Sequence, residues 1–492
     1  MSTTTSTSGT SPSVRIRQNI RTLTGVNDDL FWYARAVEEL KTRALDRPTS
    51  WWYQAAVHGI PANPAVRAQL GLQVAPVPSA ANVKTFWDQC QHQSWYFLPW
   101  HRGYLAAFEE IIAATVVQLG GPDGWALPYW NYTDTNDPNA RFLPQPFLNQ
   151  TDPSGGSNPL WVDGRILTAA GQVELNLSTV SLDALTDSIY EGSLSAGTPG
   201  FGGIATGFHH GGRLNGGLEA TPHNLVHVDV GGWMGNVDAA AADPIFWLHH
   251  ANVDRLWEVW VNRPGNAGNP TKANWLTGIT FNVHGSNNRV ISFAPGDMID
   301  TTKVLHGYVY DDISDPLAGV TGPMVVAVSP APAQGQAVMV AASRPRIPVT
   351  LGDDNVVRVT FDAPAHQAAL AAATAAARLP QAFLHVENMT GAGTSGSYEV
   401  YVKPPGDTRV PILAGAISTF GVAQASQPDS HGGGSGITTV LNITKVVQQL
   451  RRERDWNGQD LDVAIRPTRS AELAHSHPDT RLNIGRLSIY YA

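Results

Sequence analysis

The sequence predicts a mainly α fold: a helical bundle joined by long loops, followed by a smaller C-terminal β-sandwich-like domain. Three observations carry this expectation. Helical apolar patterns alternate with Gly/Pro/Asn-rich loops from residue 14 to about residue 262. After about residue 312 the pattern changes to short, evenly spaced strands between Gly-rich turns. Six of the 16 histidines fall into two clusters, both in the helical part.

Taken in order, residues 1–13 are Ser/Thr-rich and read as a disordered tail. A helix is expected from Asp28 to Arg43, with Leu30, Phe31, Ala34, Val37 and Leu40 on one stripe. A second starts near Pro99 and runs through L-A-A-F-E-E-I-I-A-A-T-V-V. A third begins at Pro222 with Thr221 as its N-cap, and a fourth at Pro244 behind Asp243, reaching about Asn262. The loop from Pro138 to Gly217 is too long for a simple connector and is expected to wrap the surface or line a site.

Residues 313–345, with the run Ser329 to Gln336, read as a flexible Pro-rich linker. Residues 346–492 then form the β-domain, with strands at V-V-R-V-T-F, F-L-H-V, Y-E-V-Y-V, L-D-V-A-I and L-S-I-Y-Y. The Ala-rich stretch Gln367 to Arg378 is expected to form a short helix.

A net charge of -9 without a basic stripe argues against a nucleic-acid partner. No apolar run reaches the roughly 18 residues of a membrane span, and the N-terminus lacks the apolar stretch of a secretory signal. A single cysteine allows no internal disulfide, so a cytoplasmic location is expected.

The first histidine cluster is His58, His92 and His101; the second is His223, His227 and His250. His223 and His227 are four apart on a helix, so both imidazoles leave one face. His249 and His250 diverge by about 100° on a helix, so one faces a metal and the other is expected to be a hydrogen-bonded core residue. His92 and His101 are nine apart, about two and a half helical turns, and Pro99 separates them onto different segments. Residue pattern alone makes His58 the least secure ligand. Three neutral imidazoles suit a first-row metal with open positions, and copper is favoured on intrinsic affinity. Two such sites make a dicopper core able to take dioxygen.

Phe97 and Phe246 each precede the last ligand of a cluster by four residues, so either ring can pack on a bound imidazole. Glu109 and Asp254 follow those ligands on the same helices, where they could accept from ligand Nδ1 atoms or simply be solvated. Val237 is expected at the lip of a substrate pocket. His209-His210 and His475-Ala-His477 are expected to be loop decoration.

The runs F-L-P-W-H-R, P-H-N-L-V-H-V and D-P-I-F-W-L-H-H-A-N-V-D-R-L-W resemble the tyrosinase and polyphenol oxidase family of type-3 copper proteins. The resemblance spans about residues 14 to 312, a catalytic domain. It implies His58 as a ligand and selects His250 over His249. It implies a thioether between Cys90 and His92, because some branches carry a cysteine two residues before that ligand. It makes Arg17 the N-terminal arginine, and Tyr308 and Tyr310 the closing tyrosine motif, with a cation–π contact between them. Glu219 and Asn224 are implied to hold a water that takes a phenol proton.

The β-rich tail is similar to the C-terminal domains of plant polyphenol oxidases and molluscan haemocyanins, which implies that it shields the copper site. Departures are the missing N-terminal disulfides and transit peptide of the plant enzymes. The resemblance implies ortho-hydroxylation of monophenols and oxidation of o-diphenols with dioxygen. A catechol oxidase or a haemocyanin-like oxygen carrier would use the same six histidines, and a zinc hydrolase stands as a third reading.

Overall fold

A computed structural model describes residues 14–25, 27–61, 64–193, 197–209, 214–318, 337–345, 347–349, 355–375, 381–393, 395–428, 434–475 and 481–492. The expected tail (1–13), most of the linker, Arg346, His210, His477 and the end of the Ala-rich stretch lie outside these residues.

The helical part is built around Phe97–Gln118, buried along nearly its whole length. It packs against Asp29–Thr42 and Ile245–Asn262, with Phe108 stacked on Trp247. Local chemistry sets the helix starts. Asp28 accepts from the backbone N–H groups of Leu30 and Phe31, and Ser50 caps Trp51–His58 through Tyr53. The carboxylate of Asp243 accepts from Ile245 N–H at 3.1 Å and opens Ile245–Asn262, as its sequence position predicts.

The expected start at Pro222 is less simple. Residues Glu219–Asn224 form a wide π-helical turn broken at an extended Thr221 (φ −148°), before Leu225–Val230. Gly59, just past His58, lets another segment come close: a Cβ there would lie 2.6 Å from the Cα of Asp238.

The two ends of this part meet underneath. Arg15–Arg17 pairs in parallel with Tyr308–Tyr310, and the Arg17 guanidinium lies 3.6 Å from the centre of the Tyr308 ring. Glu109 and Asp254 bind here too. Arg17 pairs with Glu109 at 2.5 Å, Arg102 with Asp254 at 2.5 Å, and both tyrosine hydroxyls donate to Asp254 at 2.6 Å. Burial opposes ionisation of Asp254, but Arg102 and Arg17 hold its carboxyl below the usual range.

Among the described residues the C-terminal part is one ten-stranded antiparallel sheet around its own core. All five expected strands are present, within Asn355–Phe361, Ala382–Ala392, Ser397–Lys403, Leu461–Pro467 and Arg486–Tyr491. Sequence pattern missed five others, among them Ile412–Ser418 and Ile437–Asn442, and the helix Thr444–Arg454. It also set the boundary too late. Val338–Ala342, expected within the linker, pairs with Arg486–Tyr491, so the domain begins before residue 346. No helix among the described residues is long and apolar enough to cross a membrane.

The sheet sits on the helical part. Leu214 bridges Thr438, His385 donates to Gly197 O at 2.7 Å, and Ser397 donates to the buried Asp229 at 2.9 Å. The long loop therefore does line the interior: Ile204 O accepts from Trp95 N–H, and His209 reaches His92.

Candidate metal centre

The second cluster closes into a triangle. His223 and His227 come from successive turns around residue 225, and His250 from the start of Ile245–Asn262. Their Nε2 atoms lie 3.1 Å (His227–His223), 3.3 Å (His223–His250) and 3.3 Å (His227–His250) apart. These are not hydrogen bonds. His223 Nδ1–H donates to Asn224 Oδ1 and His227 Nδ1–H to Met234 O, both at 2.8 Å, which leaves their Nε2 atoms as bare lone pairs.

Burial and repulsion from neighbouring histidines push all three imidazoles well below the usual histidine range, so each is neutral and able to act as a ligand. Three lone pairs at such spacing leave a point about 2 Å from each, the length of an imidazole–metal bond. The donor set fits a first-row cation such as copper.

The first cluster faces it. His58 ends the Trp51–His58 helix, His92 lies on the irregular stretch before Phe97, and His101 is in the early turns of Phe97–Gln118. His101 Nδ1–H donates to Phe97 O at 2.8 Å, turning Nε2 inward. The ring of His101 stacks on that of His250 at 4.4 Å and 12°, so the two triads adjoin. His58, His92 and His101 form one three-histidine copper site, and His223, His227 and His250 form the other.

Cys90 is buried among the first three imidazoles. Its Sγ lies 3.2 Å from His58 Nε2, 3.5 Å from His101 Nε2, and 3.5 and 3.7 Å from the two ring nitrogens of His92. Near-equal distances put the sulfur close to the plane that bisects the His92 ring through the carbon between its nitrogens. Burial, then Glu219, pushes the thiol well above its usual range.

Phe97 and Phe246 do pack on ligands: Phe97 lies 4.6 Å from both His101 and His223, Phe246 4.2 Å from His250 and 4.9 Å from His58. Glu109 and Asp254 do not fix ligand tautomers. They pair with Arg17 and Arg102 instead, and for His101, His227 and His223 two main-chain carbonyls and Asn224 take the Nδ1 protons.

His249 is buried in the core beside the second cluster. Burial pushes it to about 3 against a hydrogen bond to the His223 backbone, and the ring stacks on His223 at 5.3 Å and 18°. His209 is not loop decoration: it is buried and donates from Nδ1 to His92 O at 3.0 Å.

Glu219 is buried, with its oxygens 2.8 and 3.0 Å from the backbone nitrogen of Gln93. Burial pushes it up to about 8. Val237 lines a cleft between the two parts, with Trp233 and Asn236 on one side and Ala423 and Gln424 on the other.

One residue was not identifiable from sequence. Phe420, at the tip after Ile412–Ser418, stacks on His227 at 4.3 Å and 16° and stands 6.0 and 6.1 Å from His223 and His92. It packs into the helical core rather than that of its own domain. Ser418 fixes the tip, donating to Asn224 O at 3.1 Å and accepting from Phe420 N–H at 3.0 Å.

Comparison with known proteins agrees with this geometry. Residues 48–263 match the common central domain of tyrosinase, and residues 336–492 a domain of unknown function. A tyrosinase of Hahella sp. (strain CCB-MM4) is 35% identical over 97% of this chain and 99% of its own. A chloroplastic polyphenol oxidase of Malus domestica is 28% identical over 58% of this chain, which spans 46% of that relative.

The fold resembles latent aurone synthase (TM-score 0.60, 20% identity, 98% of this chain and 90% of that one). It also resembles a functional unit of octopus hemocyanin (TM-score 0.50, 16% identity, 97% and 99%). With near-complete coverage of the Hahella tyrosinase and two convergent three-histidine sites, the chain belongs to the tyrosinase family of type-3 copper proteins.

Proposed function

We propose that the protein hydroxylates monophenols at the ortho carbon and oxidises o-diphenols to o-quinones with dioxygen. One monophenol and one dioxygen give one quinone and one water; two diphenols and one dioxygen give two quinones and two waters. A copper pair held by the six histidines supplies dioxygen binding and its two-electron chemistry. The observation that carries the reading is a buried carboxylate, Glu219, held beside two facing three-histidine sites.

A free phenol has a pKa near about 10 and needs a base to deprotonate near neutrality. Glu219 is that base. Copper held in the neighbouring sites would supply positive charge that offsets its burial and favours the carboxylate. Asn224 turns its Oδ1 to His223 Nδ1–H, which leaves the amide N–H groups to hold the water between phenol and Glu219. Phe97 and Phe246 keep the imidazoles dry and in place.

The test is oxygen uptake and quinone formation on a matched monophenol and diphenol by copper-loaded protein. Reversible oxygen binding without quinone would make it a carrier, and diphenol oxidation alone a catechol oxidase. Glu219→Gln and Asn224→Ala are each expected to lower monophenol turnover by about tenfold or more, within the range of general-base effects. Diphenol turnover should fall much less. Equal losses on both substrates would leave these residues a purely structural role.

The sulfur position supports a thioether from Cys90 to the ring carbon of His92 that lies between its nitrogens. Forming it breaks S–H and C–H, removes two electrons and two protons, and uses dioxygen as oxidant. The intact mass of holoprotein should be lower by two hydrogens than that of Cys90→Ser corrected for the substitution. The variant should fold and retain less copper. A thiol that titrates in denatured holoprotein would exclude the bond.

With Phe420 over the second site, the full chain is a latent form. Quinones attack thiols and amines, so latency suits a chain whose single cysteine is compatible with the cytoplasm.

A further inference from the structure

The loop that carries His92 is clamped by residues far along the chain. His92 N–H donates to His209 O at 3.2 Å, His209 Nδ1–H to His92 O at 3.0 Å, and His209 N–H to Gln91 Oε1 at 2.9 Å. The next residue, Gln93, has φ +47°. A side-chain-bearing residue visits that left-handed region at a cost and stays only where its surroundings hold it. There its backbone N–H points at the Glu219 carboxylate, and its side-chain amide donates to Asn215 Oδ1 at 3.2 Å.

Asn215 has a second set of partners, all in the β-domain. Its N–H donates to Thr438 O and its Nδ2 to Thr439 Oγ1, both at 3.4 Å, and its neighbour Leu214 bridges Thr438. Gln93, Asn215, Glu219 and Thr439 are all buried, so water does not substitute readily for these contacts.

We propose that Asn215 is a positioning residue that couples docking of the C-terminal sheet to the placement of Glu219, acting through Gln93. The strand Ile437–Asn442 holds Asn215, Asn215 holds the Gln93 amide, and the left-handed Gln93 backbone holds the carboxylate. The β-domain thus has two effects: Phe420 fills the substrate space, while Asn215 keeps the proton acceptor in line. The proposal rests on Glu219 as the group that takes the phenol proton.

The test uses the full chain, with and without Phe420→Ala, at matched copper content. Asn215→Ala should lower the ratio of monophenol to diphenol turnover by about fivefold, a coupling ordinary for residues in contact. Thr439→Val should lower it less. In a Gln93→Ala background the effect of Asn215→Ala should vanish, because the relay is already cut.

Equal losses on both substrates, or an undiminished effect in the Gln93→Ala background, would overturn the proposal. Glu219→Gln separates the two readings. An unchanged ratio in that variant sinks the proton-acceptor role and this proposal with it. A lowered ratio there, with none in Asn215→Ala, sinks this proposal alone.

Discussion

Replacing His227 with alanine is expected to abolish phenol oxidation and to empty the second copper site while the fold survives. Its Nε2 is one corner of a triangle whose other corners lie 3.1 and 3.3 Å away, and two imidazoles cannot close that shell. Loss of a hydrogen-bond partner one layer out already costs about 10–100-fold in metal affinity or activity. Loss of the ligand itself costs more. The fold should persist because the surrounding helices are held by an aromatic core and by the Arg17–Glu109–Asp254 cluster, neither of which contains His227.

His58→Ala and His101→Ala should do the same to the first site, without touching the Phe420 stack that His227 also makes. His249→Ala is the control. It should cost stability, about 2–4 kcal/mol for a cavity of that size, yet leave both coppers bound. Copper content per chain, oxygen-dependent near-ultraviolet absorption and turnover check these outcomes together. Full activity in His227→Ala would refute the dicopper assignment, and copper loss in His249→Ala would mean that the wrong histidine of the pair was taken as ligand.

The second large effect is a gain. Phe420→Ala should raise the turnover of the full chain by about tenfold or more. The phenylalanine ring lies flat on His227, where a phenol would have to stack to reach the second site. Truncating a buried phenylalanine costs about 3–5 kcal/mol of packing. Here the packing is with the helical core, so its loss also loosens docking. Half of it is already worth more than tenfold in an equilibrium. Copper content should not change.

Limited proteolysis or mild detergent should activate the parent chain and have little left to add to Phe420→Ala. Where the cut falls matters. Arg344 lies two residues past Val338–Ala342, a strand of the sheet, so cleavage there severs the β-domain internally. Clean release needs a cut between Leu317 and Ala337. A parent chain as active as both Phe420→Ala and the cleaved form would make the β-domain a permanent stabilising unit.

The sequence by itself determined what depends on neighbours within a turn or two. The His223/His227 pair and the Asp28 and Asp243 helix starts follow from residue type at fixed spacing, and the rings of Phe97 and Phe246 fall on ligands by the same rule. The six ligands were legible because the resemblance added His58 and chose His250. The five expected strands were legible because alternation is a local signal.

Beyond the Arg17–Tyr308 contact that the resemblance implied, tertiary structure decided how residues far apart pair. Glu109 and Asp254 look alike as carboxylates beyond a ligand, and only packing turned both toward Arg17 and Arg102. No spacing brings Gln93 to Glu219, Asn215 to Thr439 or Phe420 to His227. Those contacts arise because the buried loop and the docked sheet must satisfy their polar groups against whatever surface the helices present, and chain separation carries no record of which surface that is.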